Sequence, residues 1–277
     1  MARSRLHASL VALAFAAWAL AFATAAFGYT LEEIRGRGVL RVAVYDDFPP
    51  FHKAGRGIDV EVARALAARL GVRLSLMPFP ASDENVEDDL RNMVWKGHYL
   101  GFGPADVMLH VPVAPELAGN RRVRIFGAYF RDGLAIARDV KAVPRLATLD
   151  ALRGQKVGAE TGGIASTVLL GFAGGALSAG IVHFATGFDV ALALKAGRIA
   201  AGMARRTELE AGLRGVEGIV VEPPPVALGG TTWTLGMAVT GDNLELERAL
   251  AEAVRALAES GTLRAIFAAE GVAWREP

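Results

Sequence analysis

Short apolar runs alternate with longer segments whose apolar residues recur at helical spacing, and this pattern repeats along almost the whole chain. No other feature narrows the fold as much. Residues 39–44, VLRVAV, form the kind of nearly continuous apolar run that a strand buried on both faces requires. In residues 58–71, Ile58, Val62, Leu66 and Leu70 recur every four positions with Ala65 beside them, so the spacing predicts an amphipathic helix. Gly71 is its expected stop. Strands are predicted at 72–79 and 105–111, with a helix over 83–97 between them, and the segments 122–130 and 133–139 complete the first half. A second unit begins near residue 135. It reads as strands at 156–159, 181–184, 199–204 and 218–222, separated by helices at 164–172, 188–197 and 206–213. A strand at 232–240, a long amphipathic helix at 243–261 and the segment 262–272 close the chain. Such alternation calls for α/β sheets, mostly parallel, covered by helices on both faces. Two lobes are expected, 29–132 with 229–277, and 133–228. Two short crossovers near 130–135 and 222–231 would form a hinge between them.

The N-terminus has a different character. MARSRLH carries two arginines, and the uncharged run LVALAFAAWALAFA follows, then small residues at 23–28. This is the order of a secretory signal peptide, expected over residues 1–28. The apolar run is short for a membrane span, which takes about 20 residues. Without residues 1–28 the chain has 28 basic and 29 acidic residues, a formal charge of −1, so nucleic acid is not an expected partner. There is no cysteine, which excludes disulfides, thiolate ligands and a thiol nucleophile. An exported chain with no membrane anchor is expected to work as a monomer in a bacterial periplasm.

In open α/β sheets, ligands lie beyond the carboxyl ends of the strands. DDFPPF, residues 46–51, leaves the first predicted strand at that end. Tyr45, Phe48 and Phe51 either line a pocket there, since pocket walls are largely aromatic and apolar, or plug the turn. Asp46 can accept hydrogen bonds from a ligand; Asp47 suits a solvated turn. Met108 and His110 lie on the third predicted strand, and His110 reads as a cleft-edge or core histidine. Glu160 precedes Thr161, Gly162 and Gly163, where a strand turns into a helix and free N–H groups with the positive dipole end suit an anion or a carbonyl. A plain tight turn is the alternative. Arg205 and Arg206 could meet an acidic ligand or remain solvated charges. Trp95, Lys96, His98 and Tyr99 are rich in types that anchor protein interfaces, or they cover a helix end.

The stretch GVLRVAVYDDFPPF with the helix after it, LRGQKVGAETGG, ALKAGRIAAGMA and the closing run LGMAVTGDNLELERALAEAVRALAESGTLRAIFAAEGV occur in one order. Together these segments resemble the amino-acid-binding family of periplasmic solute-binding proteins (family 3, type II periplasmic binding fold) over about residues 38–273. The resemblance implies two α/β lobes closing over a small ligand, no chemistry, and a membrane transporter permease as partner. Two departures stand out. Family members that bind amino acids carry a Thr-x-x-Arg after the third strand to grip the α-carboxylate, and here that stretch reads Val113-Ala114-Pro115-Glu116-Leu117. A leucine cannot replace the bidentate guanidinium. The aspartates that follow the Gly-Arg of the later strand are replaced by Ala200, Ala201, Arg205 and Arg206. The ligand is therefore expected not to be an ordinary α-amino acid. The segment 88–113 is similar to accessory proteins that accompany PQQ-dependent methanol and alcohol dehydrogenases, which would make a periplasmic quinoprotein dehydrogenase the partner.

No G-x-S-x-G, H-E-x-x-H, P-loop or dinucleotide fingerprint is present, and the histidines lack metal-ligand spacing, so no cofactor and no metal are expected. An alternative is a small-molecule lyase on the same fold, with Glu160 and His110 in acid–base roles.

Overall fold

A computed structural model describes residues 29–81, 85–225 and 231–277. The expected signal peptide lies outside the described residues.

Helix α1 (Leu31–Arg37) opens the described chain. Its start is fixed by a reciprocal cap, in which Thr30 accepts from the Glu33 N–H and Glu33 accepts from the Thr30 N–H. Gly38, at φ 67°, ends it in the left-handed conformation that glycine adopts without strain. Strand β1 (Val39–Tyr45), helix α2 (Ile58–Leu70) and strand β2 (Arg73–Phe79) follow. The four-residue apolar repeat predicted for α2 is the buried face: Ile58, Val62, Leu66 and Leu70 all point inward.

The predicted helix over 83–97 is less regular. Helix α3 (Val86–Leu90) runs into a π-helical turn over Arg91–Trp95. Strand β3 (Val107–Pro112) comes next. One 17-residue strand, β4 (Val123–Asp139), occupies the region expected to hold a crossover at 130–135. The remainder comprises β5 (Val157–Glu160), α4 (Ile164–Gly171), β6 (Ile181–Phe184), α5 (Gly187–Lys195), β7 (Ala201–Arg205), α6 (Arg206–Gly212), β8 (Ile219–Glu222), β9 (Thr232–Thr240), α7 (Leu244–Glu259) and α8 (Thr262–Ala269). The expected crossover at 222–231 falls partly outside the described residues.

The strands lie in the order β2-β1-β3-β9-β4-β7-β5-β6, with β8 also on β4. β1 is parallel to β2 and β3, whereas β9 is antiparallel to both β3 and β4. β5 is parallel to β6 and β7, and β4 is antiparallel to β7 and β8. The sheet is thus mixed, with a parallel trio on either side of an antiparallel centre. β4 accounts for the continuity. Its residues Val123–Gly133 pair with β9, and Leu134–Asp139 pair with β7 and β8.

Helices cover both faces. On one side of the first trio, Leu40, Val42, Ile58, Leu66, Leu250 and Phe267 share a core from β1, α2, α7 and α8. On the other side, Ala43, Leu90, Met93, Met108 and Val111 pack together. Each fully buried Leu or Phe contributes about 1.5–3 kcal/mol. The second trio has its own pair of clusters, one around Leu149, Leu169 and Met203 and one around Val190, Leu194 and Leu209. Trp233 packs against a cluster of each trio. No helix among the described residues is long and apolar enough to cross a membrane.

Candidate functional site

The carboxyl ends of four strands meet at one cavity. β1 brings Tyr45 and then Asp46, β3 brings His110 and Pro112, β5 brings Glu160, and β7 brings Arg205. The space is about 700 Å³, within the range for small-molecule sites. Phe48, Ile164, Trp233 and Leu235 supply apolar wall, and Asp47, Asn85 and Asp89 supply polar groups.

The DDFPPF turn forms one lip because its own backbone bonds fold it back. Phe48 and His52 exchange N–H···O bonds of 2.7 and 2.9 Å. The carbonyls of Pro50 and Phe51 accept from Ile58 and Asp59, which ties the turn to the first turn of α2 at 3.0 Å each. Asp46 lies 3.2 Å from the buried His52 ring, and Asp47 pairs with Lys53 at 3.2 Å on the surface. Phe48 reaches the cavity. Phe51 does not: it is fully buried, stacked on Phe48 and 4.2 Å from the His110 ring. Phe51 is therefore the floor beneath the wall.

His110 is the most constrained residue of the site. Its φ of 62° is unusual for any residue with a side chain, and it sits where the β3–β9 register shifts. Its ring Nδ1 lies 3.1 Å from Asp59, a residue with no solvent exposure. The Tyr129 hydroxyl donates to the other Asp59 oxygen at 3.0 Å and accepts from the His110 N–H at 3.2 Å. Burial, and after it the Asp59 charge, pushes the Tyr129 hydroxyl well above its ordinary value, so it remains a donor. The same bulge turns Met108 away. Met108 is fully buried in the core with Ala43 and Ala238, outside the cavity lining.

Tyr45 donates to Asp89 at 2.9 Å. Burial foremost, with the Asp89 charge second, raises its hydroxyl far above the usual tyrosine range. Across the cavity, the Arg205 guanidinium lies 4.8 Å over the Phe48 ring and 3.8 Å from Glu208. Glu208 is buried, with Oε2 lacking a hydrogen bond, and burial lifts its carboxyl from 4.5 to about 7. Arg205 opposes that rise, and the charges of Glu160 and Asp132 add to it.

Thr161, Gly162 and Gly163 stand beside the cavity, and their flanking residues Glu160 and Ile164 line it. The Thr161 N–H and hydroxyl both donate to the Phe184 carbonyl, and the Gly163 N–H donates to the Glu160 carbonyl. Two of the three N–H groups expected to face a ligand are thus engaged by backbone. Arg206 begins α6 and is half-buried outside the lining. Trp95, Lys96, His98 and Tyr99 also lie away from it. Trp95 carries the Arg122 guanidinium 4.3 Å over its ring, and the His98 ring stacks on Phe102 at 4.2 Å. Lys96 is exposed and Tyr99 is 88% exposed, next to Leu100 at 70%.

Sequence reasoning missed Asp59, Asn85, Asp89, Ile164, Trp233, Leu235 and Glu208. Asp59 carried a usable signal: an acid in the first turn of a helix that directly follows the lip. The stretch where a carboxylate-gripping arginine was sought, residues 113–117, runs into a short 3₁₀ turn over Pro115–Gly119. Val113, Ala114 and Leu117 face a separate hollow with Arg124 and Glu247.

No family model and no curated protein matches the chain. Solved structures do. The ancestral cationic amino acid solute-binding protein AncCDT-1 superposes with a TM-score of 0.68 at 22% identity, covering 87% of this chain and 99% of that one. An amino acid ABC transporter substrate-binding protein from Streptococcus pneumoniae, AbpA bound to L-arginine, gives 0.59 at 22%, covering 86% and 97%. A histidine kinase sensor domain with similarity to periplasmic binding proteins gives 0.57 at 22%, covering 86% and 98%. The chain has the periplasmic binding protein fold.

Proposed function

We propose that this protein is a non-catalytic periplasmic binder that captures a small solute in the cavity among β1, β3, β5 and β7 and hands it to a membrane transporter permease. The carrying observation is that one cavity is walled by the carboxyl ends of strands from both parallel trios. Closing the two trios on each other would enclose a ligand from opposite sides. On this reading the trios belong to lobes 29–132 plus 229–277 and 133–228, hinged through β4 and the second crossover. Export by cleavage of residues 1–28 belongs to the same proposal.

The ligand is not an ordinary α-amino acid. The residues 113–117 supply no cation, and at the end of β7 a guanidinium stands in place of an amine-binding carboxylate. The binding site comprises Tyr45, Asp46, Phe48, His110, Glu160 and Arg205, with Trp233 as apolar wall. A thermal-shift survey of periplasmic solutes tests this. A ligand that binds only the folded state raises the melting temperature with its concentration. Standard L-amino acids should give no shift, and a saturating shift from arginine or lysine would overturn the exclusion.

A second reading, in which the protein assists a periplasmic PQQ-dependent dehydrogenase, is favoured by one feature. Tyr99 and Leu100 form an exposed apolar knob beside the stacked His98–Phe102 pair, the composition of an interface anchor. Co-purification of the dehydrogenase, abolished by Tyr99→Ser with Leu100→Ser, would support it. Retention of co-purification in that double variant would overturn the role of the knob.

A further inference from the structure

Resting on the solute-binding reading above, we infer that the ligand is a small organic cation bearing N–H donors on an apolar body. His110 reads the donor and Glu160 reads the charge.

His110 sets the polarity of the site. Its side chain is 8% exposed, and it lines the cavity. An ionised carboxylate only accepts hydrogen bonds, so Asp59 at 3.1 Å fixes the proton on Nδ1. In the neutral imidazole, that leaves Nε2 with its lone pair. Nothing among the described residues donates to it. Tyr129 holds Asp59 from the far side, so the acceptor is locked from behind. A backbone at φ 62° in a bulged strand maintains this placement against local preference. An acceptor on the cavity wall with no protein partner is open to a donor from the ligand.

The charge of the walls agrees. Among the described residues, Asp46, Asp47, Asp89 and Glu160 line the space against one guanidinium, Arg205. Three of these acids are engaged, Asp46 near His52, Asp47 with Lys53 and Asp89 with Tyr45. The Glu160 carboxylate has no hydrogen bond or ion pair among the described residues. It therefore remains to receive a cation. Arg205 is partly offset by Glu208 at 3.8 Å and lies over Phe48. Tyr45 and Trp233 give the apolar and aromatic wall that suits the body of such a ligand.

Three probes of one shape separate the terms: benzylamine, benzyltrimethylammonium and phenylacetate. With the purified protein, calorimetry and thermal shift should show benzylamine binding at least about tenfold tighter than either of the others. Glu160→Gln should weaken benzylamine by about tenfold or more. His110→Asn should do the same, because the amide tolerates positive φ and can still donate to Asp59 but lacks Nε2. Equal binding of benzyltrimethylammonium would overturn the donor-reading role of His110. Preference for phenylacetate would overturn the charge assignment. If benzylamine is silent while some other solute shifts the melting temperature, this inference fails and the solute-binding reading stands. If no solute in the survey gives a shift, both fail.

Discussion

Tyr129 donates its hydroxyl to Asp59 across 3.0 Å, joining the centre of β4 to the first turn of α2 underneath the cavity. The same oxygen accepts from the His110 backbone at 3.2 Å, so one phenol fixes two walls of the site. Tyr129→Phe keeps the ring in its core and removes both bonds. It leaves a buried carboxylate oxygen and a buried N–H without a partner, each worth about 1–3 kcal/mol when unsatisfied. Urea unfolding should show a loss of at least about 2 kcal/mol with an unchanged m-value. A loss under about 0.5 kcal/mol would mean that water replaces the hydroxyl.

A second buried carboxylate carries the start of the sheet. Asp106 has no side-chain exposure, accepts from the Arg41 N–H at 2.7 Å, and pairs with both Arg37 and Arg41. Those guanidiniums also lie over Tyr29, at 4.3 and 4.8 Å. Asp106→Ala strands two cations beside a buried backbone donor. Both arginines keep about a quarter of their surface exposed, so water softens the effect. The expected loss is at the lower end of roughly 3–5 kcal/mol. Arg41→Met, which leaves Arg37 to serve the acid, should cost clearly less.

The local parts of this architecture were legible. β1 and α2 follow from an apolar run and a four-residue repeat, both contained in short windows of sequence. The carboxyl-end rule pointed to the turn after β1, and Tyr45, Asp46 and Phe48 of that turn line the cavity together with His110, Glu160 and Arg205. It failed for Met108 because strand alternation puts Met108 and His110 on one face, and the register shift beside His110 breaks that alternation. It failed for Phe51 because the turn folds back and buries its second aromatic. Trp233 was out of reach for a different reason. It enters the site only because β9 returns between β3 and β4, and its own partner on β4, Asp132, is 101 positions away. The region 130–135, expected as a crossover, is a continuous part of β4 where its pairing passes from β9 to β7, and Asp132 there is buried and accepts from Thr207 at 2.7 Å.

Glu208 makes stability depend on pH. Its carboxyl ionises at about 7 in the folded chain, against an ordinary 4.5, chiefly because it is buried. Between those values the folded state holds a proton that the unfolded state has lost. Stability therefore falls as pH rises from about 4.5 to about 7 and levels off above. Glu208→Gln removes that slope, so the variant and the parent should match near pH 4.5. At pH 8 the variant should be the more stable, by an amount on the order of 1–3 kcal/mol. Denaturant midpoints at the two pH values check this, and a variant that is less stable at pH 8 would show that the ionised Glu208 is needed to balance Arg205.

Gly57 holds the lip of the cavity against α2. It adopts φ 122°, which side chains avoid, and a Cβ there would come within 2.4 Å of the Phe51 carbonyl oxygen and 2.7 Å of that of Pro50. Both contacts are with backbone, so no rotamer change relieves them. These same two carbonyls accept the N–H groups of Ile58 and Asp59. Gly57→Ala must push the turn away from α2, lengthening those bonds and shifting Phe48 in the wall and Asp59 behind His110. The expected stability loss is at least about 2 kcal/mol. Ligand affinity should fall along with it, whereas Gly55→Ala, at φ 75° with open space around its would-be Cβ, should cost about 1–2 kcal/mol and leave the cavity intact. Thermal unfolding of the two variants with and without a bound solute separates strain in the turn from damage to the site. Equal effects from both substitutions would mean that the lip is not held through Gly57.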